Sequence, residues 1–439
     1  MNELAKNICS AGVVGAGGAG FPTHVKAQCR ADMVIANGAE CEPLLGNDKL
    51  LLKTRTKEIL QGLSVMASAT GARRRIIAIK EKYTDVIDRL HKAAPQHGVE
   101  IFLLHNYYPA GDEHEIVNYV TQKIVPEMGI PSHIGIVTNN IETLLNVAQS
   151  QNGLPVVQRS VSVIGEVQAP AVYQVPIGTS LRTLLDHAGG VTCESPAFIL
   201  GGVMMGRLVD DQNTPISKTT GAVFVLPASH SLVSAYRQSY TVSLMKAKSA
   251  CTQCTLCTEA CSRNLLGHRL FPHKIMLLPD LALDQDSFLN RSALLCSDCG
   301  CCEYACPMGL SPRKVIRVIK STLRARKLTF TPAGFEPQVH PLREQRHIPV
   351  ERVVQRLGLH KYSSTELALS PKKIEPEVVE IMLRQHIGAS AKPVVKQGKV
   401  RKGDVIARIP RGQLGAHIHA SIDGRVVHVT EEMVRICAH

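Results

Sequence analysis

The stretch CTQCTLCTEAC sets Cys251, Cys254, Cys257 and Cys261 in a C-x2-C-x2-C-x3-C spacing, and CSDCGCCEYACP repeats that spacing with Cys296, Cys299, Cys302 and Cys306 before Pro307. No other feature restricts the fold so tightly. The short gaps wrap three sulfurs around one face of a cube, and the proline turns the chain away. The chain holds 14 cysteines, and its N-terminus lacks the basic segment and apolar core of a secretion signal. A cytoplasmic location is therefore expected, where cysteines serve metal or redox chemistry rather than disulfides.

The doubled run has the spacing of bacterial ferredoxins, in which three thiolates of a run hold one cluster and the fourth reaches across to the other. Two 4Fe-4S clusters are expected. Structural zinc also uses C-x2-C pairs, but it would leave the regular third and fourth thiols without a role. A pseudo-symmetric unit would join Cys251, Cys254 and Cys257 with Cys306, and Cys296, Cys299 and Cys302 with Cys261. Cys301 interrupts the second run and reads as a bystander. Cys9, Cys29, Cys193 and Cys437 have no clustered partners and read as buried or incidental thiols.

At 439 residues the chain exceeds one hydrophobic core and should be modular. No apolar run approaches the roughly 18 residues of a membrane span. The net charge of +13 is concentrated: residues 311–375 hold 14 Lys and Arg against 5 Glu. Trp is absent, aromatics are 4%, and no helix-turn-helix or finger spacing occurs, so nucleic acid is not an expected partner. A solvated basic face, or a dock for an acidic partner, is the expectation for that segment.

The N-terminal VVGAGGAGFPTHVK contains G-x-G-x-x-G at Gly15, Gly17 and Gly20. A Rossmann turn would need a buried strand before it. Only MNELAKNICSAG precedes, with the spacing of a short helix, so the loop reads as one built to lie flat against an anion or a ring. Strands expected near 33–36, 76–80, 99–104 and 134–137 alternate with helices, as in an open α/β sheet. Three loops at strand ends then gather polar residues: NGAECEP with Asn37, Glu40, Cys41 and Glu42, YYPAGDEHE with Tyr108, Gly111, Asp112 and Glu113, and TNNIETL with Asn139 and Asn140.

GAGGAGFPTHVK, NGAECEP and TNNIETL resemble the flavin and NADH site of the complex I flavoprotein subunit, and still more the C subunit of Rnf-type electron-transfer complexes. The resemblance implies that Gly15, Gly17, Gly18, Lys26, Asn37, Glu40, Cys41, Asn139 and Asn140 face FMN. It implies that Phe21 and Glu42 flank NADH and that Asp112 and Glu113 lie near both ligands, with Tyr108 and Gly111 in the same loop. Ala39 and Cys41 replace the Asp and Ser of complex I subunits, as in the Rnf-like branch. Residues 156–230 look like the β-grasp domain of these proteins. VRKGDVIARIPRGQLGAHIHASIDGRVVHV resembles a lipoyl-type barrel-sandwich hybrid, with His417 and His419 where a modified lysine would stand, so no prosthetic arm is expected.

The resemblance thus implies a multidomain α/β chain. Its parts would be a Rossmann-like FMN and NADH domain at 1–152, a β-grasp domain at 156–235, a helical two-cluster ferredoxin domain at 236–330, a basic linker at 331–385 and the barrel at 386–439. A barrel at the C-terminal end resembles the corrinoid reductases of propanediol-utilization microcompartments. That family implies an NADH-dependent oxidoreductase that reduces cob(III)alamin to cob(II)alamin, with cob(I)alamin open. Its implied partners are cobalamin, a corrinoid adenosyltransferase that supplies a diol dehydratase, and a microcompartment shell protein. Two alternatives stand beside it: a peripheral NADH-oxidising subunit of an Rnf-type membrane complex, and a non-catalytic iron–sulfur carrier or scaffold.

Overall fold

The computed structural model describes residues 2–279 and 287–439. Helix Glu3–Ser10 is capped by the Asn2 side chain, which accepts from the Ala5 N–H at 2.8 Å, and it runs directly into the glycine loop. Among the described residues no strand precedes that loop. Its base is closed by a bridge between Val14 and Pro22 and by the Gly15 N–H donating to Phe21 O at 2.8 Å.

Strands Met33–Gly38, Arg74–Lys80, Val99–Leu104 and Ile136–Asn140 form one parallel sheet, in the spatial order third, second, first, fourth. Val34, Ile35, Ala36 and Ile76 to Ile79 are buried in continuous runs, as a parallel sheet covered on both faces requires. Helix Thr56–Thr70 lies so close to helix Ile141–Ser150 that a Cβ on Gly62 would stand 1.9 Å from Leu144 O. The strand order reverses beside Met33–Gly38, and open sheets of this kind bind ligands at the carboxyl ends flanking such a reversal. Asn37, Asn139 and Asn140 stand at those ends.

The next unit is a five-stranded mixed sheet of Gln158–Gly165, Ala171–Pro176, Pro196–Leu200, Arg207–Val209 and Ala222–Pro227, with helix Leu181–His187 packed on it. This is the expected β-grasp arrangement. Short helices follow around the cysteine runs, among them Tyr240–Ala250, Leu256–Glu259 and Pro312–Ala325. The last unit is a barrel of two small sheets, one of four strands and one of three. Its strand Val378–Met382 pairs with Met433–Cys437, so residues expected in the linker belong to the barrel.

The rest of segment 331–385 is largely exposed but is anchored to the other units at several points. Ile348–Pro349 pairs with Tyr107–Tyr108, and helix Val350–Arg356 buries Val350, Val353 and Val354 against Tyr108. The basic side chains reach acids of other units: Arg343 pairs with Glu115, Arg346 with Glu259, and Lys361 with Glu166, while Arg313 and Arg317 meet Glu303 and Asp298. The local excess of positive charge is in good part answered inside the molecule, which sequence counting within the segment could not show. Cys9, Cys29, Cys193 and Cys437 are half-buried rather than buried.

Lys218 fastens three units at one atom. Its buried Nζ donates to Gly12 O at 2.7 Å and to His417 O at 2.9 Å, and burial lowers it to about 7. A Cβ on Gly12, whose φ is +67°, would lie 2.3 Å from His417 O, so the first unit and the barrel touch backbone to backbone.

Removing Arg343 would strand the Glu115 carboxylate, which is 1% exposed. Arg343→Met is expected to destabilise the protein by about 3–5 kcal/mol. Calorimetry should show a lowered unfolding midpoint that Glu115→Gln in the same chain largely restores.

Candidate functional site

The three polar loops and the glycine loop are tied together at the sheet reversal by contacts most of which join two of them. Lys26 Nζ donates to Thr138 O at 2.8 Å and pairs with Glu113 at 2.9 Å. Asn37 Nδ2 donates to Gly111 O at 2.9 Å, and the Ala16 N–H donates to Thr143 Oγ1 at 2.8 Å. Asn140 Oδ1 caps helix Ile141–Ser150 by accepting from the Glu142 N–H at 2.9 Å, while its Nδ2 donates to Asp48 at 2.7 Å. A Cβ on Gly111 would stand 2.7 Å from Cys41 Cβ, so only glycine allows that approach.

Burial dominates the electrostatics here. Glu40 accepts from the N–H groups of Asp48 at 2.9 Å and Lys49 at 3.3 Å at the start of helix Asn47–Thr54, yet burial raises its carboxyl above the ordinary range. Burial also pushes the Cys41 thiol up to about 12 and Lys80, beside it, down to about 8. Asp112 goes the other way: burial would raise it, but Arg263 at 2.7 Å holds it below its usual value.

Two observations mark the site as made for a ligand. Thr138 Oγ1 and Asn139 Nδ2 are buried polar atoms with no hydrogen-bond partner, which a folded chain rarely leaves unmet. Gly17 and Gly18 are not crowded by the protein itself: a Cβ on Gly17 would be in ordinary contact with Asn140 Cβ at 3.6 Å, and one on Gly18 would meet nothing within 4 Å. Both line a cleft of about 1050 Å³ between the first unit, the β-grasp sheet and the barrel. That volume is at the large end for a small-molecule site. Open space at the glycines and unmet polar atoms at the sheet end fit a flat, acceptor-rich group.

Other residues of the expected set face elsewhere. Glu42 turns toward the β-grasp unit, accepting from the N–H groups of Met204 at 2.9 Å and Met205 at 2.8 Å. Tyr108 is fully buried and donates its hydroxyl to Cys299 O at 2.6 Å. Phe21 lies under the Lys26 ammonium, 5.9 Å from ring centroid to Nζ. Sequence reasoning missed Asp48, Glu142 and Arg159. Arg159 is buried, pairs with Glu142 and donates to Ala16 O at 2.6 Å, bracing the glycine loop from the second unit. Glu142 lies within TNNIETL and Asp48 a few residues past NGAECEP, so both could have been weighed; Arg159, on a strand, carries no local signal.

The cysteines surround two cavities, and the fourth thiol of each run crosses. Cys251, Cys254, Cys257 and Cys306 line one, and Cys261, Cys296, Cys299 and Cys302 line the other. Four thiols spread around each cavity suit a 4Fe-4S cluster, which four thiolates hold. Burial raises Cys257 to about 12 and Cys296 to about 11. Cys299 is lowered to about 7, chiefly because the Cys301 side chain hydrogen-bonds it. Cys301 is 1% exposed and lines the second cavity, closer to the site than a bystander.

Known proteins share each of these parts. Residues 8–149 match the Nuo51 FMN-binding domain, 160–208 the SLBB domain, 250–311 a 4Fe-4S dicluster domain and 356–438 the RnfC barrel sandwich hybrid domain. Cobalamin reductase PduS of Citrobacter freundii is 41% identical over 437 residues, covering 99% of this chain and 96% of that protein. PduS of Salmonella typhimurium is also 41% identical, with the same coverage of both chains. A component of the Na(+)-translocating ferredoxin:NAD(+) oxidoreductase complex of Acetobacterium woodii is 32% identical over 51% of this chain and 52% of its own. Among solved structures, NAD+-reducing [NiFe]-hydrogenase in the H2-reduced state aligns with a TM-score of 0.51 at 22% identity, over 76% of this chain and 63% of that one, a likeness of fold. No helix among the described residues is long and apolar enough to cross a membrane.

Two outcomes are expected from this geometry. Cys306→Ala should damage the cluster of the first run: its paramagnetic resonance spectrum should match that of Cys251→Ala and differ from that of Cys296→Ala. Burial lifts the Glu42 carboxyl to about 7, so the folded state holds a proton there that the unfolded chain has already lost above its ordinary value near 4.5. Stability contributed by Glu42 is therefore present below that ordinary value and lost as pH rises through about 7. Thermal midpoints measured from pH 5 to 8 should fall less in Glu42→Gln than in the parent.

Proposed function

The chain belongs to the family of the PduS cobalamin reductases, and on that premise we propose that it oxidises NADH and delivers the electrons singly to a corrinoid. The observation that carries the proposal is one seam. Asp112, in a loop of the sheet-end site, pairs at 2.7 Å with Arg263, two residues beyond Cys261 of the second cavity. Beside it the Tyr108 hydroxyl meets Cys299 O. The sheet-end loop and the second thiol cavity are therefore in direct contact, which a scaffold with no electron to pass would not require.

In this proposal Gly15, Gly17 and Gly18 form the floor under FMN, and Thr138 Oγ1 and Asn139 Nδ2 supply the free hydrogen-bonding atoms. Lys26 brings the positive charge, while Asn37, Glu40, Cys41, Gly111 and Asn140 hold the surrounding loops in place. Phe21, Glu42, Asp112 and Glu113 border the space assigned to NADH. FMN held by these residues would supply the conversion from a two-electron donor to one-electron iron–sulfur clusters. Cys251, Cys254, Cys257 and Cys306, and Cys261, Cys296, Cys299 and Cys302, are assigned to the two 4Fe-4S clusters. The finer steps proposed are reduction of cob(III)alamin to cob(II)alamin, with cob(I)alamin supplied to a corrinoid adenosyltransferase, inside a propanediol microcompartment whose shell the protein contacts.

The test is anaerobic reconstitution followed by NADH with cobalamin as sole acceptor, read by the cobalamin spectrum. Gly17→Val should lose most bound FMN and NADH oxidation while leaving cluster absorbance unchanged, because a Cβ at Gly17 would be only in ordinary contact with the protein itself. Full flavin occupancy in the variant would remove the glycine loop from the proposal.

A further inference from the structure

The barrel-sandwich unit is locked onto the glycine loop. The Ile387 N–H donates to Gly20 O at 3.0 Å, and the Lys218 N–H of the β-grasp unit donates to Gln385 Oε1 at 2.8 Å. A Cβ on Gly20 would stand 3.1 Å from His386 Cα and 3.2 Å from Gln385 O. Segment 384–388 is thereby tied to both other units, and it lines the cleft of about 1050 Å³ together with Gly17 and Gly18. Whatever fills that cleft meets the barrel as well as the glycines.

The barrel offers that occupant charge and a hydrogen-bond acceptor. Arg384 is exposed at the cleft, as is Arg207 of the β-grasp unit, and neither has an ion-pair or hydrogen-bond partner among the described residues. The acids that line the cleft are each engaged: Glu42 by the Met204 and Met205 N–H groups, Asp211 by the Asn213 N–H at 2.8 Å, and Glu380 by Arg435 at 2.6 Å. His386 is 7% exposed, and its Nε2 donates to Ala389 O at 3.0 Å. Burial lowers its imidazole to about 4, so the ring is neutral and Nδ1 is left as an acceptor with no donor. Two cations and one unmet acceptor beside the glycines match a ligand that carries both phosphates and hydroxyls.

We propose that the barrel forms part of the nicotinamide dinucleotide site, with Arg384 and Arg207 holding the diphosphate and His386 Nδ1 accepting from a ribose hydroxyl. This rests on the proposed oxidation of NADH and adds binding residues that the first unit does not contain. The nicotinamide end lies toward Gly17 and Gly18, and the C-terminal unit sets the affinity for the donor. FMN also carries a phosphate, and the test separates the two sources.

The reconstituted holoprotein is assayed with NADH and ferricyanide, so that corrinoid chemistry does not enter. Arg384→Gln and Arg207→Gln are expected to raise KM for NADH at least about tenfold with kcat near the parental value, the pattern of a lost ground-state contact. Arg384→Lys should recover part of that loss. FMN content, and cluster spectra by paramagnetic resonance after dithionite, should match the parent. His386→Phe, which keeps a ring and removes the acceptor, should raise KM severalfold; a parental KM there removes the ribose contact. If Arg384→Gln fails to fold, Arg207→Gln, on a different unit, carries the test. Parental KM in the arginine variants overturns the barrel's part in the site. So does loss of FMN from Arg384→Gln, since the arginine would then hold the flavin's phosphate. A parent holoprotein that oxidises no NADH with ferricyanide refutes the underlying reaction, and this inference with it.

Discussion

The buried pair of Asp112 and Arg263 is the contact on which the arrangement turns. Asp112 caps helix Glu113–Thr121 by accepting from the His114 N–H, and Arg263 opens the turn after Cys261. Each is about one-tenth exposed, so neither charge could be left without the other except at a cost of several kcal/mol. The pair fixes the sheet-end loops against the cysteine unit at a point where both chemistries meet. Arg343 on Glu115, one helical turn away, repeats the device from the far side of the chain. Two buried ion pairs therefore hold what would otherwise be two domains joined by a flexible stretch.

Much of this was legible in the residues. The doubled cysteine spacing pointed to two thiol sets with exchanged fourth members, and the cavities have that composition. The strands appear within a few residues of their expected positions, because continuous apolar runs such as RRIIAIK have one way to be buried. What stayed hidden was long-range pairing. A run of Lys and Arg looks unpaired when its acids are far along the chain, as Glu115 is 228 residues from Arg343 and Glu166 is 195 from Lys361. Lys218 gives no signal either, since its partners are backbone carbonyls of Gly12 and His417, and any residue has a carbonyl.

The barrel shows why domain order along a chain is weaker information than position in space. It is encoded last, yet it lies against the first loop: a Cβ on Gly20 would come within 3.1 Å of His386 Cα, and Gly12 meets His417. Gly17 and Gly18 from the first loop and Gln385, His386 and Gly388 from the barrel line the same cleft.

The exchange of fourth thiols between cavities reaches back to the chain's own synthesis. Cys251, Cys254 and Cys257 leave the ribosome well before Cys306, and for that interval their cavity is one thiol short. Cys261 meanwhile waits for Cys296, Cys299 and Cys302. Neither cavity is lined by one run alone, so each gains its full set of thiols only after both runs have been made. A chain ending before residue 296 would present the four thiols of one run without the partners that complete either cavity.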